Sequence, residues 1–146
     1  MGEYKLNFNG YWIESRMTEI PKTSGIYLVY RCILKEQGVK LEELLYIGQT
    51  KNLYERLHSH EKMDDFKHEC KEKEDLCFSV AEVPLEDLNI VENALIFVEK
   101  PRLNDDDKER FKFETPVTFH LEGRCALMKH QNFIIKSNGD DESERS

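Results

Sequence analysis

The chain has 146 residues, a formal net charge of −8, 39% hydrophobic residues and 34% charged residues. This length and balance predict one soluble globular domain with a modest core. No apolar run is long enough to span a bilayer and the N-terminus has no signal-peptide pattern, so we expect a cytoplasmic protein without a membrane partner. Four cysteines without a CxxC pair favour free thiols over a zinc site. The acidity disfavours broad, charge-driven binding to nucleic acids, because phosphate contacts depend on Lys and Arg.

Hydrophobic alternation and turn signals predict several strands and two or more helices. The predicted strands cover residues 4–13 (a strand or a hairpin), 25–34, 44–48 and 76–83, with two or three more in 113–136. The predicted helices cover residues 53–63 and 85–100, and the charged stretch 64–75 is an exposed helix or loop. Residues 35–43 are predicted to form the turn of an antiparallel hairpin, and Asn52 to cap the first helix.

Two tyrosines occupy the adjacent strands of the predicted hairpin. Alternate side chains of a strand point to opposite faces, so Leu45 and Ile47 are expected to share one face and Tyr46 to point to the other. If the aliphatic faces both point inward, Tyr27 and Tyr46 project from the same outer face. Packing that merely shields the sheet is the alternative explanation for two strand tyrosines.

The first predicted helix carries residues suited to binding an anion. Arg56 and His60 are four residues apart, which places them on one helical face. Lys51 and Arg56 lie near the helix start, where backbone N–H groups favour anions. A planar guanidinium beside two tyrosines would suit a phosphate group. The alternative is a solvated, charged helix face.

One glutamate lies within the apolar stripe of the second helix. That stripe comprises Leu88, Val91, Leu95 and Ile96. Glu92 is four residues after Leu88 and four before Ile96, so it falls inside the stripe. A carboxylate there is costly unless it is paired, protonated or bound to a metal ion. A helix rotated to expose Glu92, or an ion pair with Arg56, would explain it without a function.

Together these segments resemble the GIY-YIG nuclease family. The two half-motifs are Gly25-Ile26-Tyr27 and Tyr46-Ile47-Gly48. KNLYERLHSH at 51–60 is similar to the family's arginine helix, and VENALIFVEKPRLN at 91–104 to its glutamate helix and asparagine element. The resemblance spans residues 24–104. One departure is Gln49, which stands where several members carry a lysine.

The resemblance implies an α+β fold, with a small central antiparallel sheet flanked by helices and extra C-terminal strands. It implies a DNA endonuclease that uses one Mg²⁺ or Mn²⁺ ion bound by Glu92. Tyr27 would accept a proton from water directly or through His60, Arg56 would neutralise the phosphate, Tyr46 would orient water or phosphate, and Asn104 would fix the pocket. The implied site residues are Tyr27, Tyr46, Arg56, His60, Glu92 and Asn104 for catalysis, and Gly48, Lys51 and Arg56 for substrate binding.

The expected organisation has four parts. Residues 1–23 form an N-terminal extension, 24–104 the nuclease-like domain, 105–136 a C-terminal β extension packed on the same domain, and 137–146 a disordered acidic tail. DNA is the expected partner, reached through a locally basic face, a homodimer or a partner subunit. A catalytically inactive module that binds nucleic acid or protein is the alternative function.

Overall fold

The computed structural model describes residues 2–136 and, for the backbone alone, residues 140–143. The strands are β1 (Gly2–Ile13), β2 (Gly25–Leu34), β3 (Val39–Thr50), β4 (Asp75–Glu82), β5 (Val117–Gly123), β6 (Asn132–Lys136) and β7 (Asp140–Ser143). The helices are α1 (Leu53–His58), α2 (Met63–His68) and α3 (Leu88–Glu99), with 3₁₀ turns at Glu14–Arg16 and Leu85–Asp87. Within the described residues, no helix has the length and hydrophobicity that crossing a bilayer requires.

All the described strands join one sheet in the order β3-β2-β4-β1-β5-β6-β7. The α+β fold with helices against an antiparallel sheet is confirmed, with one correction: β1 and β5 pair in parallel. More than a hundred residues separate these two strands, so the connection imposes no antiparallel pairing. β1 is one strand rather than a hairpin, and it lies between β4 and β5 in the interior of the sheet. β5 and β6 extend the same sheet.

Part of the acidic tail, residues 140–143, lies within the described residues. Residues 140–143 form β7 and pair antiparallel with β6. An acidic segment lacks the apolar alternation from which a strand is usually predicted, so its sequence gives little signal. The rest of the tail, residues 137–139 and 144–146, lies outside the described residues.

Both faces of the β2–β3 hairpin are covered. Ile26, Leu28 and Ile47 pack in a cluster with α3, while Val29 and Leu45 pack in a second cluster with α1 and α2. The predicted shared face of Leu45 and Ile47 is therefore wrong. The pairing shifts from Val29↔Tyr46 to Tyr30↔Leu44, which leaves Leu45 as an extra residue and reverses its side.

The helix boundaries follow local signals except at the end of α1. The Asn52 side chain accepts a hydrogen bond from the Glu55 N–H at 3.0 Å, as the predicted N-cap requires. α3 ends at Glu99 and is followed by Lys100, which adopts a left-handed conformation before Pro101. α1 stops at His58 rather than residue 63, because Ser59 leaves helical geometry at φ −151°. Arg56 and His60 therefore do not share a helical face.

The Tyr27 ring lies directly over Gly48, its cross-strand partner. A Cβ atom at position 48 would lie 2.2 Å from Tyr27 Cζ and 2.3 Å from its hydroxyl oxygen. Tyr27 is 1% exposed, so its ring is enclosed by neighbouring atoms. Glycine at position 48 is therefore what allows the tyrosine to lie flat against the sheet.

Gly48→Ala should lower the free energy of unfolding by about 1–3 kcal/mol, because the added methyl group overpacks the Tyr27 ring. Urea unfolding of the full chain measures the loss. In a Tyr27→Leu background the shorter side chain does not reach that methyl group, so Gly48→Ala should cost nothing there. An equal loss in both backgrounds would mean that the ring does not impose the glycine.

Candidate active site

The buried hydroxyl of Tyr27 is the meeting point of three segments of the chain. Its oxygen lies 2.8 Å from His60 Nε2 and accepts a hydrogen bond from Arg56 Nε at 3.4 Å. Tyr46 lies beside it, with ring centroids 6.3 Å apart and ring planes inclined by 29°. The two tyrosines share a face, as predicted, but that face is not exposed: α1, α2 and the residue 59–62 loop between them cover it.

The hydrogen bonds of His60 determine which ring nitrogen carries its proton. The backbone N–H of Lys62 donates to His60 Nδ1 at 2.9 Å, so Nδ1 is an acceptor without a proton. The neutral ring must then carry its proton on Nε2 and donate it to the Tyr27 oxygen. His60 is therefore arranged as a donor to Tyr27, and this geometry does not favour it as an acceptor of the Tyr27 proton.

Burial controls the protonation of both partners. Burial, with the Arg56 charge second, lowers the pKa of His60 to about 4, so the imidazole is neutral at pH 7. Burial also raises the pKa of Tyr27 well above its ordinary value, although the hydrogen bond from Arg56 opposes the shift. Tyr27 is thus a phenol in the resting site, and its oxygen already accepts two hydrogen bonds.

Arg56 connects this buried cluster to the surface. Its Nε group points to Tyr27, while its Nη2 atom lies 3.6 Å from Glu61 Oε1. The Arg56 side chain is 30% exposed and that of Glu61 is 74% exposed, so this ion pair is weak and easily exchanged. A phosphate oxygen could replace the Glu61 carboxylate without disturbing the Tyr27 contact.

Glu92 opens into a small cavity beside the tyrosine pair. The cavity has a volume of about 150 Å³ and is lined by Tyr46, Lys62, Glu92, Ile96, Asn104 and Asp105–Asp107. Glu92 is half-buried, and its Oε1 atom accepts a hydrogen bond from Gln49 Nε2 at 3.0 Å. Arg56 is paired with Glu61 rather than Glu92, so the proposed ion-pair explanation for Glu92 does not hold. Burial, opposed by the Gln49 hydrogen bond, raises the pKa of Glu92.

Asn104 holds the second half-motif in place from outside the sheet. Its side-chain oxygen accepts from the Ile47 N–H at 3.0 Å, and its amide donates to the Ile47 carbonyl at 2.9 Å. β3 is an edge strand, so these backbone groups would otherwise lack a partner on that side. The neighbouring Leu103 N–H donates to the Leu45 carbonyl at 3.1 Å. Asn104 is 5% exposed and fixes the strand segment that carries Tyr46.

Two further predicted residues, Gly48 and Lys51, and two others, Gln49 and Lys62, lie around or near these groups. Gly48 is buried beneath the Tyr27 ring, which places it in packing contact with the site. Lys51 is exposed in the turn between β3 and α1. Gln49 was noted in the sequence only as a departure from the family pattern, yet it bonds both Glu92 and Asn89. Lys62 is one of the lysines expected in the locally basic face that reaches DNA, but its position in a short irregular loop gives no periodic signal that would assign it to the site.

Tyr46 lies between the Tyr27–Arg56–His60 cluster and the Glu92 cavity. It packs beside Tyr27 and His60 on one side and lines the Glu92 cavity on the other. The structure therefore brings Tyr27, Tyr46, Arg56 and His60 together, and Tyr46, Glu92 and Asn104 around the adjoining cavity. Lys51 has no described contact with either group.

The chemistry of the cavity suits a hard divalent cation. Its lining includes the carboxylates of Glu92 and Asp105–Asp107, of which Asp107 pairs with Lys112, and one positively charged side chain, Lys62. Within the described residues, no three His, Cys, Asp or Glu side chains converge as a complete ligand set. Mg²⁺ is commonly bound by one or two carboxylates, with water and substrate oxygens completing its coordination. The residues present therefore fit a metal ion that is bound mainly by Glu92 and completed by substrate.

His60→Gln should remove an acid-sensitive contribution to stability. The pKa of His60 is near 4 in the folded protein and about 6.5 in the unfolded chain, so the unfolded chain binds a proton more readily. The free energy of unfolding therefore falls as the pH drops from about 6.5 to 4. Over this range the loss from His60 alone is about 3 kcal/mol. Urea midpoints across this window should decline less in His60→Gln than in wild type. His58→Gln removes an exposed imidazole and should keep the wild-type decline; equal slopes in all three proteins would contradict the buried neutral His60.

The chain also matches a known family. The family model of the GIY-YIG catalytic domain matches residues 24–104, more than half of the sequence. No significant match was found among curated proteins or among solved structures. The matched segment begins just before β2, ends at Asn104 and includes both tyrosines, Arg56 and Glu92. The chain belongs to the GIY-YIG nuclease family.

Proposed function

We propose that this protein is an endonuclease that hydrolyses phosphodiester bonds in DNA and requires one divalent cation, Mg²⁺ or Mn²⁺. The observation that supports it most is the placement of Tyr46 between the Tyr27–Arg56–His60 cluster and the Glu92 cavity. A phosphate group at this junction would meet a guanidinium, two phenols and a carboxylate that can hold the cation. Free thiols at all four cysteines suit a reducing compartment, and we place the activity in the cytoplasm.

Arg56 is the proposed electrostatic partner of the scissile phosphate. Its guanidinium is held at one end by the Tyr27 hydroxyl, while its outer N–H groups reach the surface beside Glu61. Exchange of Glu61 for a phosphate oxygen would direct those N–H groups at the charge that develops during cleavage. Because the Tyr27 contact preorganises the side chain, little reorganisation accompanies the reaction.

Tyr27 is the proposed acceptor of the proton from the attacking water. As a phenolate its oxygen would keep the two hydrogen bonds from His60 and Arg56 and still have room for a third partner. Burial opposes this ionised form, and the two donors favour it. His60 acts here by donating to Tyr27 rather than by receiving the proton. Tyr46 orients the water or phosphate from the adjoining wall of the cavity.

The cation would be held by Glu92, whose position Gln49 fixes through the 3.0 Å hydrogen bond. When bound, it would supply Lewis-acid polarisation of the phosphate and stabilise the leaving oxygen. Asn104 maintains the position of Tyr46 by holding the Ile47 backbone. The alternative of an inactive binding module finds support in the net charge of −8, and the same cleavage assay decides between the two.

Glu92→Gln should reduce metal-dependent DNA cleavage by at least about a hundredfold, because the neutral amide removes the charge that holds the cation. Plasmid nicking with a Mg²⁺ and Mn²⁺ titration measures this effect. Glu86→Gln is the matched control, since Glu86 is exposed just before α3 and outside the cavity. Cleavage by Glu92→Gln at the wild-type rate, with normal metal dependence, would refute the single-cation proposal.

The rate of cleavage should rise with pH through the neutral and alkaline range. The pKa of Tyr27 lies above its ordinary value of 10, so the phenolate fraction increases about tenfold per pH unit below it. Single-turnover rates at fixed metal concentration report this profile. Tyr27→Phe, which keeps the ring but removes the hydroxyl, should lose about 10²–10⁴-fold in rate. A wild-type plateau near pH 7, or an active Tyr27→Phe, would exclude Tyr27 as the base.

A further inference from the structure

Lys62 places a positive charge in the wall of the Glu92 cavity. Its Nζ atom lies 5.1 Å from the centroid of the Tyr46 ring, the tyrosine shared by both halves of the site. Of the side chains that line the cavity, it is the one cation among four carboxylates. The side chain is half-buried, so its charge is less screened than that of a fully exposed lysine.

The backbone of Lys62 is fixed by the residues that form the site. Its N–H donates to His60 Nδ1 at 2.9 Å, and its carbonyl accepts from the Phe66 N–H at 3.0 Å. Phe66 is buried against both Tyr46 and His60, with ring centroids 5.1 Å and 5.0 Å away. The 59–62 loop therefore fixes the backbone of this lysine near the Tyr46 ring, and the ammonium lies over that ring.

The ammonium of Lys62 contacts the Tyr46 ring and has no anionic partner among the described residues. In the described part of the chain it forms no ion pair, although carboxylates line the same cavity. Neighbouring cations are already engaged: Arg102 pairs with Glu43 and Glu69, and Lys112 pairs with Asp107. Gln49, which bonds Glu92, is neutral. A phosphate that approaches Glu92 would therefore meet three carboxylates that form no ion pair in the described residues, and Lys62 is the cation in the cavity wall that offsets part of their charge.

We propose that Lys62 binds a phosphate of the DNA strand at the Glu92 cavity and is thus a second cationic contact to the substrate beside Arg56. This inference rests on the proposed function. Arg56 reaches the phosphate from the Tyr27 side of Tyr46, and Lys62 reaches it from the cavity side. The two cations let an acidic protein hold DNA at this point, because they oppose the repulsion between the substrate and the carboxylates of Glu92, Asp105 and Asp106.

The test compares two lysines that contact tyrosine rings in the same way. Lys22 Nζ lies 5.0 Å from the Tyr54 ring centroid, outside the cavity, so Lys22→Met removes the same charge and the same kind of ring contact. Binding of a short labelled DNA duplex to the full chain is measured in Ca²⁺, by fluorescence anisotropy, at salt concentrations between about 50 and 200 mM. Urea midpoints of each variant establish that it is folded.

Lys62→Met should weaken binding about tenfold at the lowest salt and reduce the slope of log K against log salt by about 0.9, the value of one lost phosphate contact. Lys62→Arg should restore the slope, and Lys22→Met should retain it. Wild-type slope and affinity in a folded Lys62→Met would overturn the inference, as would an equal loss in Lys22→Met.

The role of Lys62 in DNA binding is tested separately from DNA cleavage, because binding is measured without turnover. A wild-type protein that binds DNA but does not cleave it would refute the endonuclease proposal, while the slopes would still decide the role of Lys62. A protein that cleaves DNA and loses no phosphate contact in Lys62→Met would keep its function and exclude Lys62 from the site. Absence of any binding to DNA would overturn both.

Discussion

The hydroxyl of Tyr27 must be hydrogen-bonded because it is buried, and that requirement organises the surrounding structure. A buried polar group without a partner costs about 1–3 kcal/mol, so the donors from His60 and Arg56 are needed for stability before any chemistry takes place. Gly48 is needed so that the ring can reach this position at all. The contacts that stabilise this part of the core are thus the same contacts that preorganise the candidate active site.

A second constraint acts at the free edge of β3, where the strand has no neighbour to complete its hydrogen bonds. Asn104 meets this requirement with a side-chain amide that pairs with both backbone groups of Ile47. The chain then continues into Asp105–Asp107, which Asn93 helps to anchor by donating to the Asp107 and Arg110 carbonyls. The hydrogen bonds of Asn104 to Ile47 therefore also help to position the acidic wall of the Glu92 cavity.

Local periodicity was sufficient to predict the features that depend on a single element. Strand alternation placed Tyr27 and Tyr46 on one face, and helix periodicity singled out Glu92 beside the buried face of α3. It failed where the chain turns for non-local reasons. α1 ends at His58, before Ser59, without a glycine or proline signal. The 59–62 loop that follows places His60 in contact with Tyr27, which is a contact distant in sequence. The reversal of Leu45 likewise depends on pairing with β2, which no local pattern encodes.

The net charge of an acidic chain is a poor guide to whether it binds DNA, because screening in salt limits each charge to its near surroundings. At physiological ionic strength the Debye length is about 8 Å, so carboxylates in distant parts of the molecule contribute little at the Glu92 cavity. At the proposed site the local balance is set by Arg56, Lys62 and the cavity carboxylates, of which Asp107 is already paired with Lys112. That balance is negative, and the proposed divalent cation would offset it. Binding of the metal ion and of the phosphate should therefore reinforce one another, which links substrate affinity to metal concentration without any conformational change.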